Sequence, residues 1–135
     1  NAPVERVDHW LAHRNDTSGL QALTKKGFVI DTMEVAAPWS AMNEVYTSVC
    51  RAVLAIDGAR SISAHVSHSY LDGACLYFTF VGTTSTREIN SASTDEHEAL
   101  YLAIWNVAQR AALEAGGNLS HHHGVGLGLN RQHRR

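Results

Sequence analysis

The stretch Ser61–Val81, SISAHVSHSYLDGACLYFTFV, alternates apolar and polar residues on both sides of a short turn. A period of two is the signature of a strand with one buried face. In the first arm Ile62, Ala64, Val66, His68 and Tyr70 share one side, and Ser61, Ser63, His65, Ser67 and Ser69 share the other. In the second arm Ala74, Leu76, Phe78 and Phe80 form an apolar row, with Cys75, Tyr77, Thr79 and Val81 opposite. Leu71-Asp72-Gly73 reads as a three-residue hairpin loop with Gly73 in the left-handed position. That loop pairs Tyr70 with Ala74, Ser67 with Tyr77 and His65 with Thr79, and it brings both apolar rows onto one face. A two-residue loop would set an apolar row beside a polar one. The hairpin therefore predicts one core-facing side and one side presenting His65, Ser67, Tyr77 and Thr79.

Upstream, GFVIDTMEVAA (Gly27–Ala37) is rich in β-formers and reads as a buried strand that stops at Pro38. Ser40 is a good N-cap, and Met42, Val45, Tyr46, Val49, Val53 and Ile56 recur at helical spacing. This predicts an amphipathic helix over Ser40–Ile56, closed by Gly58. Downstream, Gly82–Ser93 reads as loop. Ser93 and Glu96 then form a capping box ahead of Leu100, Ile104, Val107, Ala108 and Ala111. That second helix is predicted to run to Ala115 and stop at Gly116-Gly117. The order β-α-β-β-α implies an α+β domain, an antiparallel sheet with both helices on one face. Three segments result: a polar N-terminal stretch over 1–26 with a short helix near Val4–Ala12, the α+β unit over 27–117, and a histidine-bearing tail over 118–135. Asn1-Ala2 reads as the scar of a cleaved expression tag, and a chain beginning without Met reads as part of something longer.

With 44% hydrophobic and 18% charged residues and a net charge of −2, a chain of 135 residues has the composition of one folded domain. Its basic residues are scattered, apart from Arg131, Arg134 and Arg135 at the end. This argues against a nucleic-acid partner. No apolar run reaches the ~20 residues that span a bilayer. Cys50 and Cys75 lie in apolar stretches and not in a C-x-x-C spacing. They read as reduced thiols in a reducing, cytoplasmic compartment.

The run SHHHGVG, Ser120–Gly126, directly follows the second helix. Four readings compete: a purification tag, a metal site, a plain surface loop, and part of an active site. Adjacent loop residues rarely converge on one ion, and no Cys, Asp or Glu lies near them in sequence. Gly124 and Gly126 allow close backbone approach, and imidazoles titrating near ~6.5 can hold an anion and move a proton. Tyr77, projecting from the polar sheet face, could exchange a proton beside such groups.

DTMEVAAPWS (Asp31–Ser40), VSHSYLDGACLYFTF (Val66–Phe80) and SHHHGVG (Ser120–Gly126), in this order along the chain, resemble the C-terminal cap domain of FAD-linked oxidases of the vanillyl-alcohol oxidase superfamily. The resemblance is closest to the alkyldihydroxyacetonephosphate synthase-like branch. It implies a two-domain flavoenzyme in which an antiparallel-sheet cap covers the flavin. Under it Tyr77 matches the family's acid–base tyrosine, His121, His122 and His123 match its histidine loop, and Glu34 takes the acidic position at a strand end. Glu34 and His65 are the substrate-binding candidates. The implied cofactor is FAD, held by the full-length protein and not by this chain, and no residue here is assigned to bind it. The implied partners are an N-terminal FAD-binding domain and a small-molecule substrate, with a homodimer left open. The branch reads P-W-D-R where this chain has Pro38-Trp39-Ser40-Ala41. Ala41 carries no charge to grip a phosphate, which favours another small organic substrate, of hydroxy-acid size. The alternative is a stand-alone α+β module that binds a metal or an anion through its histidine loop.

Overall fold

The structure, a computed structural model, describes residues 3–14, 16, 18–84 and 94–121. Two short helices, α1 (Val4–His13) and α2 (Ser18–Lys25), precede β1 (Phe28–Pro38), α3 (Met42–Leu54), β2 (Ala59–Ser69), β3 (Gly73–Thr83) and α4 (Thr94–Glu114). The strands form one antiparallel sheet in the order β1-β3-β2. The two long helices pack on one face of it, as an α+β fold requires, because each row repeats at the period of its element. Val45, Val49 and Val53 of α3 and Leu100, Ile104 and Ala108 of α4 are buried against Met33, Val35, Leu76, Phe78 and Phe80 of the sheet. Each such large apolar side chain contributes about 1.5–3 kcal/mol by leaving water.

Several local expectations change. Where one N-terminal helix is expected, there are two, and Val4, Val7, Trp10 and Leu11 of α1 stay exposed. The third helix starts at Met42 with Ala41 in the N-cap position, and no side chain caps it, so Ser40 does not perform that role. Pro38 is the last residue of β1 rather than a stop before it. It is tolerated there because β1 is an edge strand, where the missing N–H breaks no ladder bond. The Ser93 half of the predicted capping box lies outside the described residues.

The hairpin differs most. Tyr70 N–H donates to the Gly73 carbonyl at 2.8 Å, so the turn holds two residues, Leu71 and Asp72. His65 lies opposite Tyr77 and Ser63 opposite Thr79, two residues away from the expected register. The parity conflict of a two-residue loop is resolved by a β-bulge. Val66 faces Leu76 and His68 faces Cys75, which leaves Ser67 as the extra residue. Below the bulge Ile62 and Ala64 pack against the core, while Val66, opposite Leu76, stays exposed. Beyond it His68 joins the Cys75–Tyr77 row on the open face, not the apolar row. Gly73 is not left-handed either, since among the described residues the positive-φ glycines are Gly27, Gly58 and Gly116. Its need is space: a Cβ there would sit 2.3 Å from the Ala37 carbonyl oxygen.

Asp31 faces the helices from β1. It accepts hydrogen bonds from the Tyr101 hydroxyl at 2.9 Å and from Trp105 Nε1 at 3.0 Å. Burial first, then Asp31's hydrogen bond and charge, push the Tyr101 phenol from its ordinary 10 up to about 12. The unfolded chain releases this proton near 10 and the folded chain near 12, so between those values the unfolded state binds fewer protons. The contribution is complete below pH 10 and is lost as pH rises through about 12. Urea melts across this window should show stability falling more steeply for wild type than for Tyr101→Phe. Equal slopes would show that the phenol is not linked to folding.

Candidate functional site

Helix α4 ends in a Schellman turn that sets up the site. Gly116 takes φ +89°, its N–H donates to Leu113, and the Gly117 N–H donates to Ala112. The chain then meets the outer edge of β1. Asn118 N–H donates to the Ala36 carbonyl at 2.9 Å, and the Ala36 N–H donates to Asn118 Oδ1 at 2.7 Å. This pair satisfies both outward-pointing groups of Ala36, as a further strand would. Leu119 is buried, and His121 reaches the sheet face that α3 and α4 leave open. There its Nε2 lies 3.0 Å from the Tyr70 hydroxyl, and its ring centre is 5.5 Å from that of His68.

Glu34 lies at the centre of this face with its side chain fully buried. Its Oε1 accepts from the Ser67 hydroxyl at 2.5 Å and lies 3.4 Å from His68 Nδ1. The bulge makes this possible by turning the consecutive Ser67 and His68 toward the same carboxylate. Cys75 faces them from the central strand. Burial, then the charge of Glu34, pushes its thiol above the usual range. Metal-ligating atoms of Glu34, His68, Cys75 and His121 all lie within 4.8 Å of one another.

Tyr77 is the cross-strand partner of both Glu34 and His65. Its hydroxyl donates to Thr32 Oγ1 at 3.0 Å, and its ring lies tilted against His65 at 5.3 Å. Of the residues predicted from sequence, Glu34, His65, Tyr77 and His121 thus share one face: Glu34 with His121, and Tyr77 with His65. His122 and His123 lie outside the described residues. Sequence reasoning missed His68, Cys75, Tyr70 and Asn118 as neighbours of the site. The parity of a two-residue turn against two apolar rows was the signal that a bulge must intervene. Nothing in the sequence marks Asn118 as the edge-pairing residue.

Beside the cluster, an open cleft of about 600 Å³ runs between the end of β1, the hairpin turn and the Gly116–Asn118 turn, with Tyr70 and His121 on its wall. Among the described residues the positive-φ glycines sit in turns before β1 and β2 and at the end of α4, not at a helix N-terminus.

The family described as FAD linked oxidases, C-terminal domain, matches residues 4–133. An alkyldihydroxyacetonephosphate synthase of Trypanosoma brucei brucei is 33% identical over 90 residues, which cover 65% of this chain and 13% of that protein. An uncharacterized FAD-linked oxidoreductase of Escherichia coli O157:H7 is 27% identical over 108 residues, covering 77% of this chain and 22% of that one. A solved alkyldihydroxyacetonephosphate synthase structure superimposes with a TM-score of 0.56 at 21% identity, over 70% of this chain and 16% of its own. That likeness shows the fold alone. The chain therefore spans between 13% and 22% of the length of these relatives. Among the described residues no helix is long and apolar enough to cross a membrane.

Proposed function

This chain belongs to the C-terminal domain family of FAD-linked oxidases, and from that premise we propose that it is the cap of a FAD-dependent oxidoreductase acting on a small organic substrate. The observation that carries the reading is the placement of Glu34, His65, Tyr77 and His121 on one face, turned away from the helices. A cap must present its chemistry on such a face. The exposed apolar residues of α1, Val4, Val7, Trp10 and Leu11, are a further surface that a second domain of the same protein would cover. Bound FAD supplies the two-electron acceptor that no side chain here provides.

The chain's own residues would supply positioning and proton handling. The Tyr77 hydroxyl holds or exchanges a proton with the substrate, and Thr32 Oγ1 and the His65 ring fix its direction. His121, held by Tyr70, would orient and neutralise an anionic substrate, with His122 and His123 continuing the same loop. Ser67 and His68 hold the Glu34 carboxylate in place. Ala41, standing where the resembling branch carries arginine, leaves no guanidinium for a phosphate, which supports a hydroxy-acid-sized substrate.

The test compares this 135-residue chain with the longer protein that contains it. The longer protein should purify with flavin absorbance. The chain alone should give no binding heat on titration with FAD and no turnover. Tight FAD binding by the chain alone, or a longer protein without flavin, would overturn the reading.

A further inference from the structure

We propose that Glu34, His68, Cys75 and His121 form a binding site for one divalent transition-metal ion of the zinc class. The four residues come from three strands and the turn after α4, and the fold alone brings them together. Glu34 Oε1 and His68 Nδ1 are 3.4 Å apart. Two ligands on a tetrahedral ion with bonds of about 2.0–2.2 Å stand ~3.4 Å apart, so this edge is already at its bound length. The other ligand atoms lie within 4.8 Å, and His68 and His121, both exposed, can close the remaining gap by small rotations.

The donor chemistry favours the same ion. One thiolate, two imidazoles and one carboxylate suit zinc, cobalt or a similar ion, and they do not suit the all-oxygen preference of calcium or magnesium. Binding displaces the Cys75 thiol proton to solvent, and two negative ligands then balance the ion's charge. The surroundings resemble an outer shell. Ser67 donates to the carboxylate, and the Tyr70 hydroxyl lies 3.0 Å from His121 Nε2, which would leave Nδ1 to ligate. Glu34 and Cys75 also answer the objection that the histidine run has no Cys or Glu near it in sequence: the sheet supplies both. The competing account is a closed hydrogen-bonded network of Glu34, Ser67 and His68 around an inert buried thiol.

The site shares Glu34 and His121 with the proposed substrate face, but its test uses metal alone, so its failure and the failure of the flavin reading are distinguishable. After chelation and dialysis the protein should take up one Zn²⁺ per chain and melt at a higher temperature with zinc than without. Co²⁺ should give a thiolate-to-metal charge-transfer band that survives Cys50→Ser and vanishes in Cys75→Ser. Glu34→Gln and His121→Ala should each weaken Zn²⁺ binding at least tenfold. Cys75→Ser makes a small change and His121→Ala removes an exposed side chain, so these two remain informative if Glu34→Gln unfolds. The proposal is overturned by sub-stoichiometric zinc, or by a cobalt complex without the thiolate band. It is also overturned if binding persists in Cys75→Ser and is lost only in His122→Ala/His123→Ala, the signature of a histidine run chelating by itself.

Discussion

Tyr77→Phe in the full-length flavoprotein is expected to lower turnover by about 10²–10⁴-fold, the usual contribution of a positioned proton donor or acceptor. Flavin content should stay at the wild-type level. The substitution removes one oxygen from a half-buried ring on the open sheet face and leaves the packing against His65 in place. Its structural cost is the hydrogen bond to Thr32 Oγ1, about 0.5–1.5 kcal/mol, with water able to replace the lost donor. Thr32→Val separates the two effects. It removes the same hydrogen bond and keeps the phenol, so a merely structural hydroxyl predicts equal losses in both variants. The proposed role predicts a much smaller loss in Thr32→Val, and a pH profile of kcat altered in Tyr77→Phe. Undiminished turnover in Tyr77→Phe would remove the phenol from the chemistry.

Tyr77 was legible in the sequence for a reason that also sets the limit of such reading. Burial repeats along a strand every second residue, so the row Leu76, Phe78, Phe80 declares the core side and leaves Tyr77 on the other. The valines at 45, 49 and 53 declare the inner face of α3 in the same way. Glu34 can be placed by that parity too, and it pairs with Tyr77 in the observed register. The bulge breaks the rule. Beyond Ser67 every residue of β2 changes face, so His68 moves from an apparent core position to contact with the Glu34 carboxylate. Turn length and strand parity together imply such a correction, but strand parity alone misplaces it. The meeting of His121 with His68 and Cys75 depends on a different event. The chain leaves α4 at Gly116 and pairs with the β1 edge through Asn118. That contact spans 82 residues of sequence and has no periodic trace.

The residue next to Tyr77 provides the opposite experiment. Phe78 is fully buried on the central strand, with Met33 and Ala64 as its cross-strand neighbours and the Tyr46 ring stacked at 6.3 Å. Phe78→Ala should cost about 3–5 kcal/mol, the sum of lost burial and a cavity that a close-packed sheet–helix interface cannot fill. A domain is stable by only about 5–15 kcal/mol, so this is a large share of the total. The urea midpoint should fall by roughly 1–3 M with little change in slope. Phe78→Leu should retain most of the stability, because it keeps most of the volume. Thus two adjacent residues are predicted to fail in different ways: 77 loses chemistry on a stable fold, and 78 loses the fold and with it the placement of every group on the open face. If Phe78→Ala were tolerated while Tyr77→Phe destabilised the protein strongly, the two faces of β3 would be assigned the wrong way round. The cap reading would fail with them, since it requires the phenol to face away from α3 and α4.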